Sequence, residues 1–448
     1  MPTIYSARWV LPMLTAPIPD GAVAVEGTKI VRLGTRAELS EQFSAARLAD
    51  FGNAAIIPGL INSHSHLELT AMRGFLEAEE SDFFAWLRKL TVARLERMTA
   101  EDIYTSALWG ACEAVRTGVT CLGDASDSAT ASMQALRDVG LRGLVFQESF
   151  GPDPALVREN VQKLKDKVAQ LRSLETKLVQ VGVSPHSPYT VCAAQLAALA
   201  DFSTTDNLPL MMHAAESAAE DLFVREGRGI FAEGLARRGI QWEAAGVSTV
   251  QYLKRVGVLG VGPLLAHCIQ VDDADIAAIA ESGAKVAHCP KSNAKLRHGR
   301  APLAKFVKAG IVVGLGSDSV ASNNTCDLIE EARFAALLSR LHGDNDSGET
   351  GDKLVVLATL GGAKALGLER QVGALREGLE ADLTVVSLAG VHQTPSFDPV
   401  STLLFASSGR DVVLTLVAGQ EVFREGRVIN VDEEGLRRRM EEIVAKLR

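Results

Sequence analysis

The sequence predicts an α/β chain: a (β/α)8 barrel of the TIM type, with a small β-sandwich domain built from both chain ends. Three observations predict it. Eight short apolar runs alternate with amphipathic stretches long enough for helices. The residues before 58 and after 369 are β-rich and punctuated by glycine. Histidines and acids cluster at the C-terminal ends of the apolar runs, the end at which a parallel barrel builds its active site.

Residues 1–57 hold the runs AVAVEG (22–27) and KIVRLG (29–34), a small β module. From 58 to 369 the pattern becomes that of βα units. The eight runs are AIIPGLINSH (55–64), GVTCLGD (118–124), GLVFQES (143–149), VQVGVSPH (179–186), LPLMMHAAE (208–216), GPLLAHC (262–268), AKVAHCP (284–290) and IVVGLGSD (311–318). Stretches such as 100–118 and 154–174 between them carry helical periodicity. From 370 to 430 the chain returns to β with ADLTVVSL (381–388) and VVLTLVAGQEVFREG (412–426), and 431–448 forms a charged helix from Asp432. The two β-rich ends are expected to pair into one composite domain.

Composition narrows the function. The 448 residues are 47% hydrophobic and 23% charged, ordinary for a globular protein. A net charge of -9 argues against nucleic acid and against an anionic membrane as partner. The N-terminus does not read as a signal peptide, and there is no apolar run long enough to span a bilayer. Six cysteines without a CxxC pair read as reduced, buried thiols of a cytoplasmic protein.

His64, His66, His186, His213, His267, His288 and Asp318 each fall at the C-terminal end of one of the runs or just beyond it. Alternate residues of a strand point the same way, so His64 and His66 can share one target while Ser65 faces away. Imidazoles plus a carboxylate suit Zn2+ with a position left open for water, and His213 and Asp318 are the best candidates to complete the set.

The motifs PGLINSHSHLE (58–68), SPHSPYT (184–190), HAAES (213–217), HCPKSNAKL (288–296), GLGSDSVASNN (314–324) and GALREGLEADLTVV (373–386) carry a resemblance. On them the chain resembles the amidohydrolase superfamily, in its subgroup of deaminases and chlorohydrolases acting on nitrogen heterocycles. The resemblance implies His64, His66, His213 and Asp318 as ligands of one divalent metal ion, Zn2+ or Fe2+. It implies Asp318 as general base, Glu216 as proton donor to a ring nitrogen, His267 as partner of the water, and His186 as a substrate contact. VQVGVSPHSPYT lacks the lysine with which binuclear members bridge two metals. Glu68, Arg73 and Trp86 are further candidate substrate contacts. His288 is expected to serve a structural loop with Ser292 and Asn293 satisfying backbone groups, and His298, His342 and His392 to lie at the surface or in packing.

The implied substrate is a small heterocycle, and homo-oligomers occur among relatives. HSHLELT and FFAWLRKL (83–90) resemble aminodeoxyfutalosine deaminases, which hydrolyse the C6 amine of a purine nucleoside bearing a carboxyphenyl group. Adenosine-type deaminases carry a ribose-binding glutamate where Ala85 stands here. The alternatives are an adenosine, methylthioadenosine or S-adenosylhomocysteine deaminase, a guanine deaminase, a triazine chlorohydrolase, a cyclic amidase, or a metal-free scaffold.

Overall fold

The computed structural model describes residues 1–341 and 351–448; His342 lies outside the described residues. In chain order the strands are β1 (Thr3–Val10), β2 (Ile18–Glu26), β3 (Lys29–Thr35), β4 (Arg47–Asp50), β5 (Ala54–Pro58), β6 (Leu60–Ser65), β7 (Val119–Ser126), β8 (Arg142–Ser149), β9 (Val179–Pro185), β10 (Met211–Ala214), β11 (Leu264–His267), β12 (Lys285–His288), β13 (Val313–Leu315), β14 (Leu383–Ser387), β15 (Val412–Val417), β16 (Gln420–Arg424) and β17 (Arg427–Val428).

Strands from both chain ends share one nine-stranded sheet, ordered β17-β16-β15-β14-β5-β1-β2-β3, with β4 beside β1. Side-chain alternation gives this sheet two apolar faces. On one, Ile4 packs with Leu39 of the helix Arg36–Gln42. On the other, Tyr5 and Ala7 pack with Ile56, Leu383 and Leu414.

The run AIIPGLINSH, expected as one strand, is two. β5 pairs antiparallel with β14 in the nine-stranded sheet, and β6 pairs parallel with β7 in a different one. Gly59 makes the step between them. A Cβ there would sit 2.1 Å from Oγ1 of Thr120, so only glycine fits.

The remaining strands form two parallel four-stranded sheets, β6-β7-β8-β9 and β10-β11-β12-β13. Their ends approach one another at two seams. At one, Val183 and Leu210 bridge, with the Val183 N–H donating to the Pro209 carbonyl at 3.0 Å. At the other, Ser65 and Asp318 bridge, with the Asp318 N–H donating to the His64 carbonyl at 2.9 Å. Helices cover these strands: Ala100–Arg116 buries Ala107, Ala111, Ala114 and Val115 in the same cluster as Leu60 and Leu122. The helix Glu433–Leu447, capped by the Asp432 carboxylate, buries Leu436, Met440, Ile443 and Leu447 at helical spacing. Of these, Met440, Ile443 and Leu447 join Met72, Trp86 and Leu296 in one cluster.

One buried ion pair ties the nine-stranded sheet to the parallel strands. Arg142 of β8 donates from Nε and Nη2 to the two carboxylate oxygens of Asp382, at 2.9 and 3.0 Å, and both side chains are buried. Asp382 also accepts from the Ala418 N–H at 2.7 Å. Removing one partner strands a buried charge, so Asp382→Ala is expected to destabilise the fold by about 3–5 kcal/mol, read from denaturant unfolding. A loss near zero would remove this pair from the account of how the two parts are joined.

Candidate metal centre

β6 ends in His64 and Ser65, with His66 one residue beyond, and the bridge to Asp318 brings the far end of the chain against it. Nε2 of His64 and Nε2 of His66 each lie 3.5 Å from Oδ1 of Asp318. β10 supplies His213, whose Nε2 is 3.2 Å from that of His66. Ligating atoms of His64, His66 and His213 fall within 4.8 Å of one another, as do those of His64, His267 and Asp318.

Each ring is aimed by its other nitrogen. Nδ1 of His213 donates to the His186 carbonyl at 3.0 Å, so the neutral ring turns a lone pair on Nε2 inward. Nδ1 of His64 meets the Met211 sulfur at 3.2 Å, and its Nε2 is fully buried with no hydrogen-bond partner. An orphaned buried nitrogen beside two further imidazoles and a carboxylate fits a cation such as Zn2+. His64, His66, His213 and Asp318 would hold it.

Burial sets the charges. It pulls His64 down to about 4 and His213 well below the usual histidine range, and it lowers His66, so these rings are neutral, the ligand form. Burial would raise Asp318, but the imidazoles of His64 and His267 facing it overrule this and hold the carboxyl well below its ordinary value. Glu216 goes the other way: burial pushes it up to about 7 against the pull of His267. His267 is drawn down by burial but raised above its usual value by Glu216 and Asp318, 3.7 Å separating its Nε2 from Oε1 of Glu216.

His186 sits beside this group, its ring centroid 4.7 Å from that of His213. Nδ1 of His186 is engaged by the hydroxyls of Ser187 and Thr190. Three other candidates stand apart. Glu68 spends its carboxylate on the Ser126 hydroxyl, the N–H groups of Asp127 and Ser128, and Arg94, which makes it a structural group under the strand ends. Arg73 pairs with Glu113. Trp86 is buried and stacks on Phe83, centroids 6.0 Å apart.

One expectation is corrected. Ser292 and Asn293 serve side chains of the site, not backbone: Ser292 Oγ donates to Asp318 Oδ2 at 2.5 Å, and His267 Nδ1 donates to Asn293 Oδ1 at 2.8 Å. Of the surface or packing place expected for His298, the structure shows the packed one. Its side chain is 5% exposed and its Nε2 lies 3.5 Å from Oε1 of Glu216. Its place in the motif HCPKSNAKLRHG, two residues past HCPKSNAKL, was the available signal. His288 is buried, with its carbonyl accepting from the Gly316 N–H, while His392 is exposed and pairs with Asp411. Glu148, not singled out by sequence, is buried without a partner for Oε1, and its ligating atoms lie within 4.8 Å of His186 and His213. All six cysteines are free and buried, and no helix among the described residues is long and apolar enough to cross a membrane.

Fold and site together are those of a metal-dependent hydrolase. The chain belongs to the amidohydrolase family, whose model matches residues 55–422. It is 32% identical over 441 residues to a 5'-deoxyadenosine deaminase of Methanosarcina mazei, covering 96% of this chain and 95% of the relative. A 5-methylthioadenosine/S-adenosylhomocysteine deaminase of Pelotomaculum thermopropionicum is 30% identical over 422 residues, 93% of this chain and 91% of that one. Among solved structures, a zinc-bound adenosine deaminase from Xanthomonas campestris superposes with a TM-score of 0.86 at 26% identity, over 99% of this chain and 98% of its own.

The purified protein is expected to hold a single divalent ion per chain, and His66→Ala to lose it, as measured by elemental analysis. Full occupancy in His66→Ala would contradict the assignment.

Proposed function

We propose that this chain is a metal-dependent hydrolytic deaminase of a 6-aminopurine nucleoside, releasing ammonia, on eight parallel strands that close into one barrel with the nine-stranded sheet folded beside it as a sandwich. One observation carries the reading. Two buried carboxyl groups face the same histidine cluster in opposite protonation states, Asp318 ionised and Glu216 poised near neutrality. Hydrolysis of a ring amine needs that pair, a base for the water and an acid for the ring.

A divalent ion, Zn2+ or Fe2+, bound by His64, His66, His213 and Asp318 would supply Lewis acidity that lowers the pKa of water to about 7. The protein groups do the rest. Asp318 takes a proton from the attacking water. Glu216 protonates the ring nitrogen next to the carbon under attack, so that electrons leaving the C–N double bond have a place to go. His267, held through Nδ1 by Asn293, keeps its Nε2 facing Glu216 and the water. The water oxygen stays on the ring carbon; one of its protons leaves on ammonia and the other replaces the proton that Glu216 gave to the ring nitrogen. His186 contacts the heterocycle beside His213.

For the 5' side we propose 6-amino-6-deoxyfutalosine first, supported by HSHLELT, FFAWLRKL and Ala85. A second reading, a 5'-deoxyadenosine or methylthioadenosine substrate, is supported by the names of the relatives at 30–32% identity.

Ammonia release from these nucleosides, with adenosine, S-adenosylhomocysteine, guanine and aminotriazines alongside, tests both readings. Turnover of the futalosine derivative above the rest is expected. Ammonia from none of them would refute the deaminase. Because Glu216 is protonated below about 7 and loses its proton above it, kcat is expected to fall as pH rises past neutrality. Glu216→Gln should retain the metal yet lose about 10²- to 10⁴-fold in kcat. A wild-type rate in that variant would remove Glu216 from the proton-donor role.

A further inference from the structure

Glu216 is faced by two imidazoles, and the reaction uses one of them. Its Oε1 lies 3.7 Å from Nε2 of His267 and 3.5 Å from Nε2 of His298. Neither nitrogen has a hydrogen-bond partner, and both side chains are at most 5% exposed.

His298 is placed there by a built turn. The helix Pro290–Lys295 ends in a Schellman motif: the Arg297 N–H donates to the Ala294 carbonyl, and the His298 N–H to the Asn293 carbonyl at 2.9 Å. Arg297 takes the left-handed conformation the motif requires, φ 59°, and Gly299 follows at φ 109°. The His298 carbonyl accepts from the Gln270 amide at 3.1 Å. Phe83 closes the ring's outer side edge-on, with centroids 4.5 Å apart and planes at 85°. So a non-glycine residue is held left-handed and an imidazole is sealed under an aromatic ring, with its Nε2 aimed at a carboxyl oxygen. Packing alone does not call for a nitrogen at that place, because a buried polar atom without a partner is unfavourable.

We propose that His298 is a positioning residue for Glu216. Its Nε2–H donates to Oε1 when substrate fills the site, which fixes that oxygen as acceptor and leaves Oε2 to carry the proton to the ring nitrogen. The 3.5 Å separation shortens on substrate binding, as catalytic hydrogen bonds in free enzymes commonly do. The proposal rests on the deaminase reading of the site for its effect on rate, but the contact itself does not.

The test has two arms. With the best substrate of the ammonia screen, His298→Phe, which keeps a ring against Phe83, is expected to lower kcat by about tenfold or more while KM changes by less than about threefold and metal content stays unchanged. In a Glu216→Gln background the same substitution should change kcat by less than about twofold, because its effect passes through Glu216. His298→Gln, which restores a donor, should recover part of the loss. An undiminished kcat in His298→Phe, a loss confined to KM, or an equal loss in both backgrounds would overturn the proposal. The second arm needs no turnover: in protein labelled with 15N at its nine histidines, the His298 ring signals, assigned by their loss in His298→Phe, should move in Glu216→Gln. Unmoved signals would overturn the contact. A shift with no turnover of any nucleoside would leave the contact standing and refute the deaminase.

Discussion

The site depends on one backbone hydrogen bond, from the N–H of Asp318 to the carbonyl of His64. It joins the first and last of the parallel strands, and both residues also turn their side chains to the same point. Closing the seam and forming the cup are therefore one event. The ladder there is short, since β13 has three residues, and polar side chains complete it. Ser63 Oγ donates to the Leu315 carbonyl at 2.7 Å, and Asn62 exchanges hydrogen bonds with both the N–H and the hydroxyl of Ser317. Gly316 permits the approach, because a Cβ there would lie 2.9 Å from that of His64. Asp318 holds a left-handed φ of 56°, a strain of order 1–3 kcal/mol that the surrounding bonds sustain.

Desolvation then sorts the ionisable groups. A wet cluster of so many histidines would titrate near neutrality. Here burial drives His64 to about 4, His186 to about 3 and His298 to about 4, so they remain bases and donors without charge. Asp318 keeps its charge because His64, His267 and His66 face it, whereas at Glu216 burial outweighs the pull of His267 and pushes the carboxyl up to about 7. Two carboxyl groups beside one histidine cluster are thus driven in opposite directions by environment alone. The two rings 3.5 Å from the buried Asp318 carboxylate, His64 and His66, are neutral, which is the electrostatic case for a cation between them.

Much of this was legible in the sequence, because hydrophobic alternation and the position of a polar residue at the end of an apolar run survive folding unchanged. Each of the eight runs contains a parallel strand, and His64, His66, His213 and Asp318 meet where those strands end. What could not be read follows from tertiary geometry. AIIPGLINSH has one unbroken apolar pattern although the chain changes sheets at Gly59, since periodicity records burial and not the identity of the neighbour. His298 follows a helix of six residues and ends no strand, so its direction is set by a helix cap that the pattern does not disclose. Glu68 shares strand parity with His66, but the chain leaves the strand after Ser65 and enters a 3-10 turn, which rotates Glu68 onto Ser126 and Arg94.

That short helix explains why HCPKSNAKL carries so many polar residues in a buried place. Ser292 bonds the carboxylate of Asp318, the Asn293 side chain holds His267, and the Asn293 carbonyl fixes the turn that presents His298. Asp318, His267 and His298 are all referenced to one turn and a half of backbone. Separate loops would each fluctuate independently, and a misplacement of about 1 Å in a catalytic group can cost on the order of 10²-fold in rate. Anchoring them to one rigid element makes their errors common to all, so that distances within the set persist when the element moves. The helix is pinned in turn at its far side, where Lys291 pairs with Glu330 and the Lys291 N–H donates to buried Glu331. The relative placement of Asp318, His267 and His298 is thus a property of a local structure, while the placement of His64 against Asp318 belongs to the seam, and Asp318 is the residue through which the two are made to agree.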